Sequence, residues 1–227
     1  MEKKRQIAAV LILLALIGVI AYRHSTGKDL EKYEASFFDV FDTQTQIIGY
    51  ASSKEQFSEQ MSLIKDKFQY YNDLYDIYHD YEGMNNIKTI NDNAGIQPVK
   101  VDEEIIELLK LGITMDEKTD GNMNIAMGSV LSIWHDYREA GSEDPYSAEL
   151  PPMDELERAA EHTDIHNIVI DEEASTVYLT DPDMSLDVGS IGKGYAVQKV
   201  AEYAKNELGI RYMLFSVGGN VCAIGGH

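Results

Sequence analysis

Residues 185 to 195 read Ser-Leu-Asp-Val-Gly-Ser-Ile-Gly-Lys-Gly-Tyr. A short apolar run ends on Asp187, and three glycines, Gly189, Gly192 and Gly194, then enclose Lys193. The chain continues A-V-Q-K-V-A-E-Y-A-K-N-E-L-G with apolar residues at helical spacing, which predicts a strand, a tight glycine turn and a helix start. Glycine lets backbone approach a ligand closely, the first N–H groups of a helix lack intrahelical acceptors, and the helix dipole adds partial positive charge beside the lysine. That combination suits a phosphate. It is not a Walker A loop, because Gly194 stands where Ser or Thr would ligate magnesium, and it is not G-x-G-x-x-G. The same residues also fit a glycine-lined turn with a solvated lysine. Lys199, further along the helix, is expected to be ordinary solvated surface.

Upstream, Ile168 to Asp171 and Thr176 to Thr180, joined by E-E-A-S, read as a hairpin that delivers the chain to this motif. Downstream, Gly209 is the expected stop of the helix, and Arg211 to Val217 is a strand-like run into a Gly218-Gly219-Asn220 turn and a further strand from Val221. Toward the N-terminus, Ser36 to Ala51 reads as extended structure. Phe57, Met61, Ile64, Phe68, Tyr71, Leu74, Tyr75 and Tyr78 recur at helical steps and predict a helix over Lys54 to Tyr78, core-facing except at Tyr78. The stretch from His79 to Gly95 has turn chemistry and predicts a loop. Val101 to Thr119 predicts a helix with Asp102 as N-cap, Ala140 to Pro152 a surface loop, and Met153 to Glu161 a short acidic helix.

The 227 residues carry a net charge of −20. From Asp29 onward 14 basic residues face 38 acidic ones, so that part repels nucleic acid, whose binding rests on phosphate neutralisation. One cysteine, Cys222, excludes an internal disulfide and a cysteine-rich metal site. Residues Ile7 to Tyr22 form an apolar run behind Lys3, Lys4 and Arg5. No clean small-x-small cleavage site follows it, so an uncleaved single-span anchor is expected, with its basic flank in the cytoplasm and Asp29 onward outside. With no cysteine there, lipoprotein anchoring is excluded. The organisation read from this is 1–28 cytoplasmic tip and anchor, 29–35 linker, and 36–227 one domain.

Other chemistry has less support. His162 and His166 flank a helix-to-strand junction and are not expected to share a face. Asp181, Asp183 and Asp187 cluster before the glycine turn and could approach a hard cation, although such acids are more often solvated. Neither G-x-S-x-G nor H-E-x-x-H occurs.

Four landmarks in order carry a resemblance: F-D-T at 41–43, Y-x-x-Y-E-G-M-N-N-I-x-x-I-N at 78–91, T-D-G-N-M-N-I at 119–125 with Trp134 following, and L-D-V-G-S-I-G-K-G-Y-A at 186–196 with S-V-G-G-N at 216–220. Together they resemble the ApbE family of FAD:protein FMN transferases, from about Phe37 to the last residue. The resemblance implies an α+β fold, FAD and Mg²⁺, and attachment of FMN through a phosphoester to a threonine of a target flavoprotein, with AMP released. It implies that Phe41 stands where many members have methionine beside the flavin ring, and that Tyr78 is the aromatic partner of that ring, with Tyr81 as the alternative. It assigns FAD contacts to Asn122, Met123 and Asn124, with Asn124 replacing the usual aspartate, and to Asp187 and Lys193. Ser190 matches a position that helps hold the metal. No general base is implied. The family also has a downstream histidine, aspartate and threonine that complete the FAD and Mg²⁺ sites, so this chain is expected to be an incomplete, weak or inactive transferase. Two other readings share the site: an exported module that holds FAD without transfer, and a Mg²⁺-dependent FAD pyrophosphatase.

Overall fold

The structure is a computed structural model that describes residues 30–226. The expected cytoplasmic tip and membrane anchor, with Asp29 of the expected linker, lie outside the described residues, among which no helix is long and apolar enough to cross a membrane.

Strands β1 (Glu31–Val40) and β2 (Thr43–Ala51) form an antiparallel hairpin. The segment 29–35 read as a linker is therefore mostly strand: charged Glu31, Lys32 and Glu34 mask it, because β1 is an edge strand and its outer positions face water. The sheet runs β1-β2-β6-β7, with β6 (Met213–Val217) and β7 (Asn220–Ile224) joined by Gly218 and Gly219, both at positive φ. Two such residues in succession give the turn whose twist matches a tight hairpin. All pairings are antiparallel. A second sheet, β3 (Val99–Lys100), β5 (Thr176–Leu179) and β4 (Ile168–Asp171), contains the expected hairpin.

Helix α1 (Lys54–Leu74) starts at Ser53, whose side chain accepts from Gln56 N, and packs with α6 (Gly192–Asn206) against one face of the larger sheet. Its stripe Phe57, Ile64, Phe68, Tyr71 and Leu74 is buried, and Phe68 meets Phe215 of β6 ring to ring at 6.2 Å. Each such side chain contributes about 1.5–3 kcal/mol by leaving water. The helix ends at Leu74, one turn short of the periodicity, so Tyr75 and Tyr78 leave it. The region expected to be a loop contains a helix, α2 (Ile87–Asp92), opened by a capping box between Asn86 and Thr89. At six residues it is too short for an apolar period to reveal it. Helix α3 (Glu103–Lys118) follows Asp102 as expected, though the Asp102 side chain caps nothing. Helix α4 (Gly128–Glu143) runs into the expected loop, and α5 (Met153–Ala160) closes the list.

The apolar run before the glycine turn is not a strand. Met184 to Val188 forms no helix and belongs to neither sheet. Its backbone is held instead by Asn91, whose Nδ2 donates to Leu186 O (3.0 Å) and whose Oδ1 accepts from Leu186 N (2.7 Å). Asp187 N donates to Ile125 O and Gly128 N to Ser185 O. Side-chain and loop groups thus do what a neighbouring strand would have done.

Candidate functional site

The tip of the β1–β2 hairpin, the chain leaving α1 and the N-terminus of α6 enclose a cleft of about 410 Å³. Phe41, Tyr78, Asp187 and Lys193, expected together from the sequence, all line it. Phe41 and Asp42 sit at the hairpin tip with φ 53° and 48°. A bulky residue is uncommon there, and Phe41 is held by its own N–H, which donates to Asn72 Oδ1 at 2.7 Å.

Lys193 lies in the first turn of α6, whose preceding residue Ile191 gives no side-chain cap. Among the described residues the Lys193 ammonium has no hydrogen-bond or ion-pair partner, and the amides of Lys193 and Gly194 have no protein acceptor. In a chain this acidic, an unpaired cation beside two free N–H groups makes a ready anion site. None of Gly189, Gly192 and Gly194 has positive φ, so these glycines supply room rather than an unusual backbone. A Cβ on Gly192 would contact Tyr75 Cδ2 at 3.5 Å and one on Gly194 would crowd Asn220 Oδ1 at 3.1 Å, while Gly189 N donates to Asp187 Oδ1 at 2.8 Å.

The opposite wall was not legible in the sequence. Asp76 accepts from Tyr78 N (2.6 Å), His79 Nδ1 (2.9 Å) and Tyr81 Oη (2.7 Å), a knot that fixes the turn carrying Tyr78. Burial works against its ionisation, but these hydrogen bonds outweigh it and hold its carboxyl below the usual range. Burial and the Asp76 carboxylate push the Tyr81 phenol up, so Tyr81 is a neutral donor engaged in the knot, and both Tyr78 and Tyr81 line the cleft. The repeated aromatic-acid pattern L-Y-D-I-Y-H-D-Y is the signal that could have located Asp76. Tyr78 is 54% exposed and stacks on His135 of α4 at 5.0 Å. Beyond it lies a second cleft, of about 520 Å³, walled by Trp134, Leu131 and Arg138 and sharing Tyr78 and Asp187 with the first. Tyr75, beneath the first cleft, keeps a buried hydroxyl without a hydrogen-bond partner.

Asn122, Met123, Asn124 and Ser190 do not line the Lys193 cleft. Asn122 Nδ2 donates to Thr119 O, Met123 N to Thr119 Oγ1, and Asn124 bridges Ala126 N to Thr163 O, so these groups hold the loop that hydrogen-bonds Asp187. Ser190 is exposed at the glycine turn. Lys199 is not the solvated lysine expected: its Nζ is 2.6 Å from Glu107 Oε2, and its side chain is one quarter exposed.

The expected acid cluster divides. Asp187 goes to the cleft, whereas Asp181 and Asp183 approach His162, with His162 Nδ1 2.9 Å from Asp181. His166 takes no part. The hydrogen bond to Asp181 raises the His162 pKa and lowers that of Asp181. A raised histidine stabilises the fold fully below its unfolded value, about 6.5, and the contribution is lost as pH rises through the folded value. The melting temperature of Asp181→Asn should therefore fall further below wild type at about pH 6 than at about pH 9. Calorimetry giving one constant difference at both would show that the pair is inert.

Antiparallel sheets with helices packed on the larger one, and an uncapped helix N-terminus that brings Lys193 into a cleft lined by Phe41, Tyr75, Tyr78 and Tyr81, define an α+β protein whose cleft joins a cationic end to aromatic walls. The sequence profile of the ApbE family matches residues 41–227, and the chain belongs to that family. It is 25% identical over 186 residues to the FAD:protein FMN transferase of Klebsiella pneumoniae strain 342, covering 82% of this chain and 56% of that protein. The crystal structure of the ApbE protein of Thermotoga maritima superposes with TM-score 0.71 at 25% identity, over 87% of this chain and 60% of that one. The flavin transferase ApbE of Vibrio cholerae gives 0.70 over 87% and 60%, and at 19% identity the likeness is one of fold. The chain spans about half the length of the curated relatives it matches.

Proposed function

We propose that the chain takes part in FAD:protein FMN transfer, with FAD as substrate and a threonine hydroxyl of a target flavoprotein as acceptor. The observation that carries this reading is the unpaired Lys193 with the free amides of Lys193 and Gly194 beside an aromatic cleft. Those groups fit a pyrophosphate, and Tyr78 and Phe41 fit the flavin ring. In the reaction the threonine oxygen attacks the FMN-side phosphorus, the bond from that phosphorus to the bridging oxygen breaks, AMP leaves with that oxygen, and the hydroxyl proton is released. Lys193 and the helix N-terminus stabilise charge on the pyrophosphate, and the tyrosine wall orients the ring.

Mg²⁺ belongs to this reading as the family's metal. It demands near-octahedral oxygen coordination, and around the glycine turn this chain offers Ser190 and Asp187, with one Asp187 oxygen already bonded to Gly189. These residues do not make up such a set, so no step is assigned to a metal here.

The test is incubation of the chain with FAD, Mg²⁺ and a threonine-bearing acceptor protein, followed by intact mass and nucleotide analysis. Flavinylated acceptor with stoichiometric AMP supports transfer, FMN and AMP with unmodified acceptor supports pyrophosphatase chemistry, and bound intact FAD supports a carrier. Absence of FAD binding overturns the reading. The topology proposed from the basic flank and apolar run places this domain outside the cytoplasmic membrane. Protease added to intact cells should then remove the part beyond Asp29, and its full protection would reverse the orientation.

A further inference from the structure

The first turn of α6 is a weak place to hang an anion site. It is uncapped and contains Gly192 and Gly194, each costing about 1 kcal/mol relative to alanine in a helix. Something outside the turn must hold it. Tyr195 follows Lys193 by two residues, about 200° around the helix, so while Lys193 lines the cleft Tyr195 faces α3. There its hydroxyl donates to Glu107 Oε2 at 2.8 Å, and Lys199, one turn on along the same face, donates to the same oxygen at 2.6 Å. Lys199 Nζ also lies 5.6 Å from the centroid of the Tyr195 ring. Glu107 does not line the cleft.

Protonation locks the arrangement. The hydrogen bonds from Lys199 and Tyr195 hold the Glu107 carboxyl below its ordinary range, and burial followed by the Glu107 contact pushes the Tyr195 phenol up. Carboxylate, phenol and ammonium therefore keep these states around neutral pH. A single carboxylate gripping two positions one turn apart fixes both the rotation and the axial position of the start of α6.

We infer that Glu107 is a positioning residue for the anion site: through Tyr195 and Lys199 it holds the first turn of α6 so that the Lys193 ammonium and the free amides of Lys193 and Gly194 converge on one phosphate. The inference rests on the proposed binding of FAD at this turn, and a double-mutant cycle separates the two. FAD binding is measured by flavin fluorescence for the full chain and for Glu107→Gln, Lys193→Ala and the double variant, with melting temperature recorded in parallel. Glu107→Gln should weaken FAD about three- to tenfold when Lys193 is present and by less than twofold when it is absent, because a displaced turn costs most where its lysine bears the contact. The melting temperature should fall by the same amount in both backgrounds. Equal weakening in both backgrounds, or none in either, makes Glu107 a purely structural residue and overturns the inference. If Lys193→Ala binds FAD as wild type does, the anion reading itself fails and the inference with it. Should Glu107→Gln not fold, Tyr195→Phe removes one hydroxyl, leaves the Glu107–Lys199 pair, and completes the same cycle.

Discussion

Lys193→Glu is expected to reduce FAD affinity at least tenfold. A hydrogen bond from a charged group to phosphate contributes about 1.5–3 kcal/mol, and about 1.4 kcal/mol is a factor of ten. Charge reversal adds repulsion at a site whose lining already includes Asp42, Asp76 and Asp187. Since the Lys193 ammonium has no partner to lose among the described residues, the substitution should cost little stability, and binding and folding separate cleanly. Lys205→Glu is the matched control: Lys205 is exposed in the last turn of the same helix, and its reversal changes net charge equally. Lys199, engaged by Glu107, cannot serve. Equal FAD binding by the Lys193 and Lys205 variants would reduce Lys193 to a solvated turn lysine.

Asn91→Ala should destabilise the fold by about 2–4 kcal/mol and lower the melting temperature by roughly 4–15 °C. The two hydrogen bonds between the Asn91 side chain and the Leu186 backbone, one donated by each, join positions 95 residues apart, and Leu186 is 1% exposed, so water cannot replace them. Both backbone groups would be left buried and unpaired, the condition in which a lost hydrogen bond costs its full desolvation. FAD affinity should fall too, because Asp187 lies in this segment, Gly189 follows it directly, and both line the cleft. Asn91→Asp keeps the acceptor and loses the donor, and should fall between wild type and alanine. A melting temperature within about 1 °C of wild type for the alanine variant would show that the segment is held by its apolar side chains alone.

These two sites mark how far the sequence could be read. Helix α6, the β4–β5 hairpin, the Gly218-Gly219 turn and most of α1 and α3 follow from period and turn chemistry, which are local properties. Phe41, Tyr78, Asp187 and Lys193 came from ordered landmarks and do share a cleft. Other readings failed where a distant partner decided the outcome. The apolar run before Asp187 has the composition of a strand, yet Asn91 and the Ile125 loop satisfy its backbone in place of a sheet. Charged residues concealed β1, whose outer positions face water, and α2 rests on the Asn86–Thr89 box rather than on a period.

By itself the sequence determined the acidic surface, the elements with strong periods, and a glycine-lysine turn opening a helix, because charge, spacing and glycine content act within a few residues. Only the tertiary structure decided which groups remain free. Lys193 and Lys199 lie on one helix, and among the described residues one is unpaired in the cleft while the other is bound to a carboxylate of α3. The separation of the acids is of the same kind: Asp181 pairs with His162 and Asp187 turns to the cleft. Hydrogen bonds and ion pairs are short-range contacts between residues the chain brings together from far apart, so the partner that neutralises a charge is set by packing and not by its neighbours in sequence.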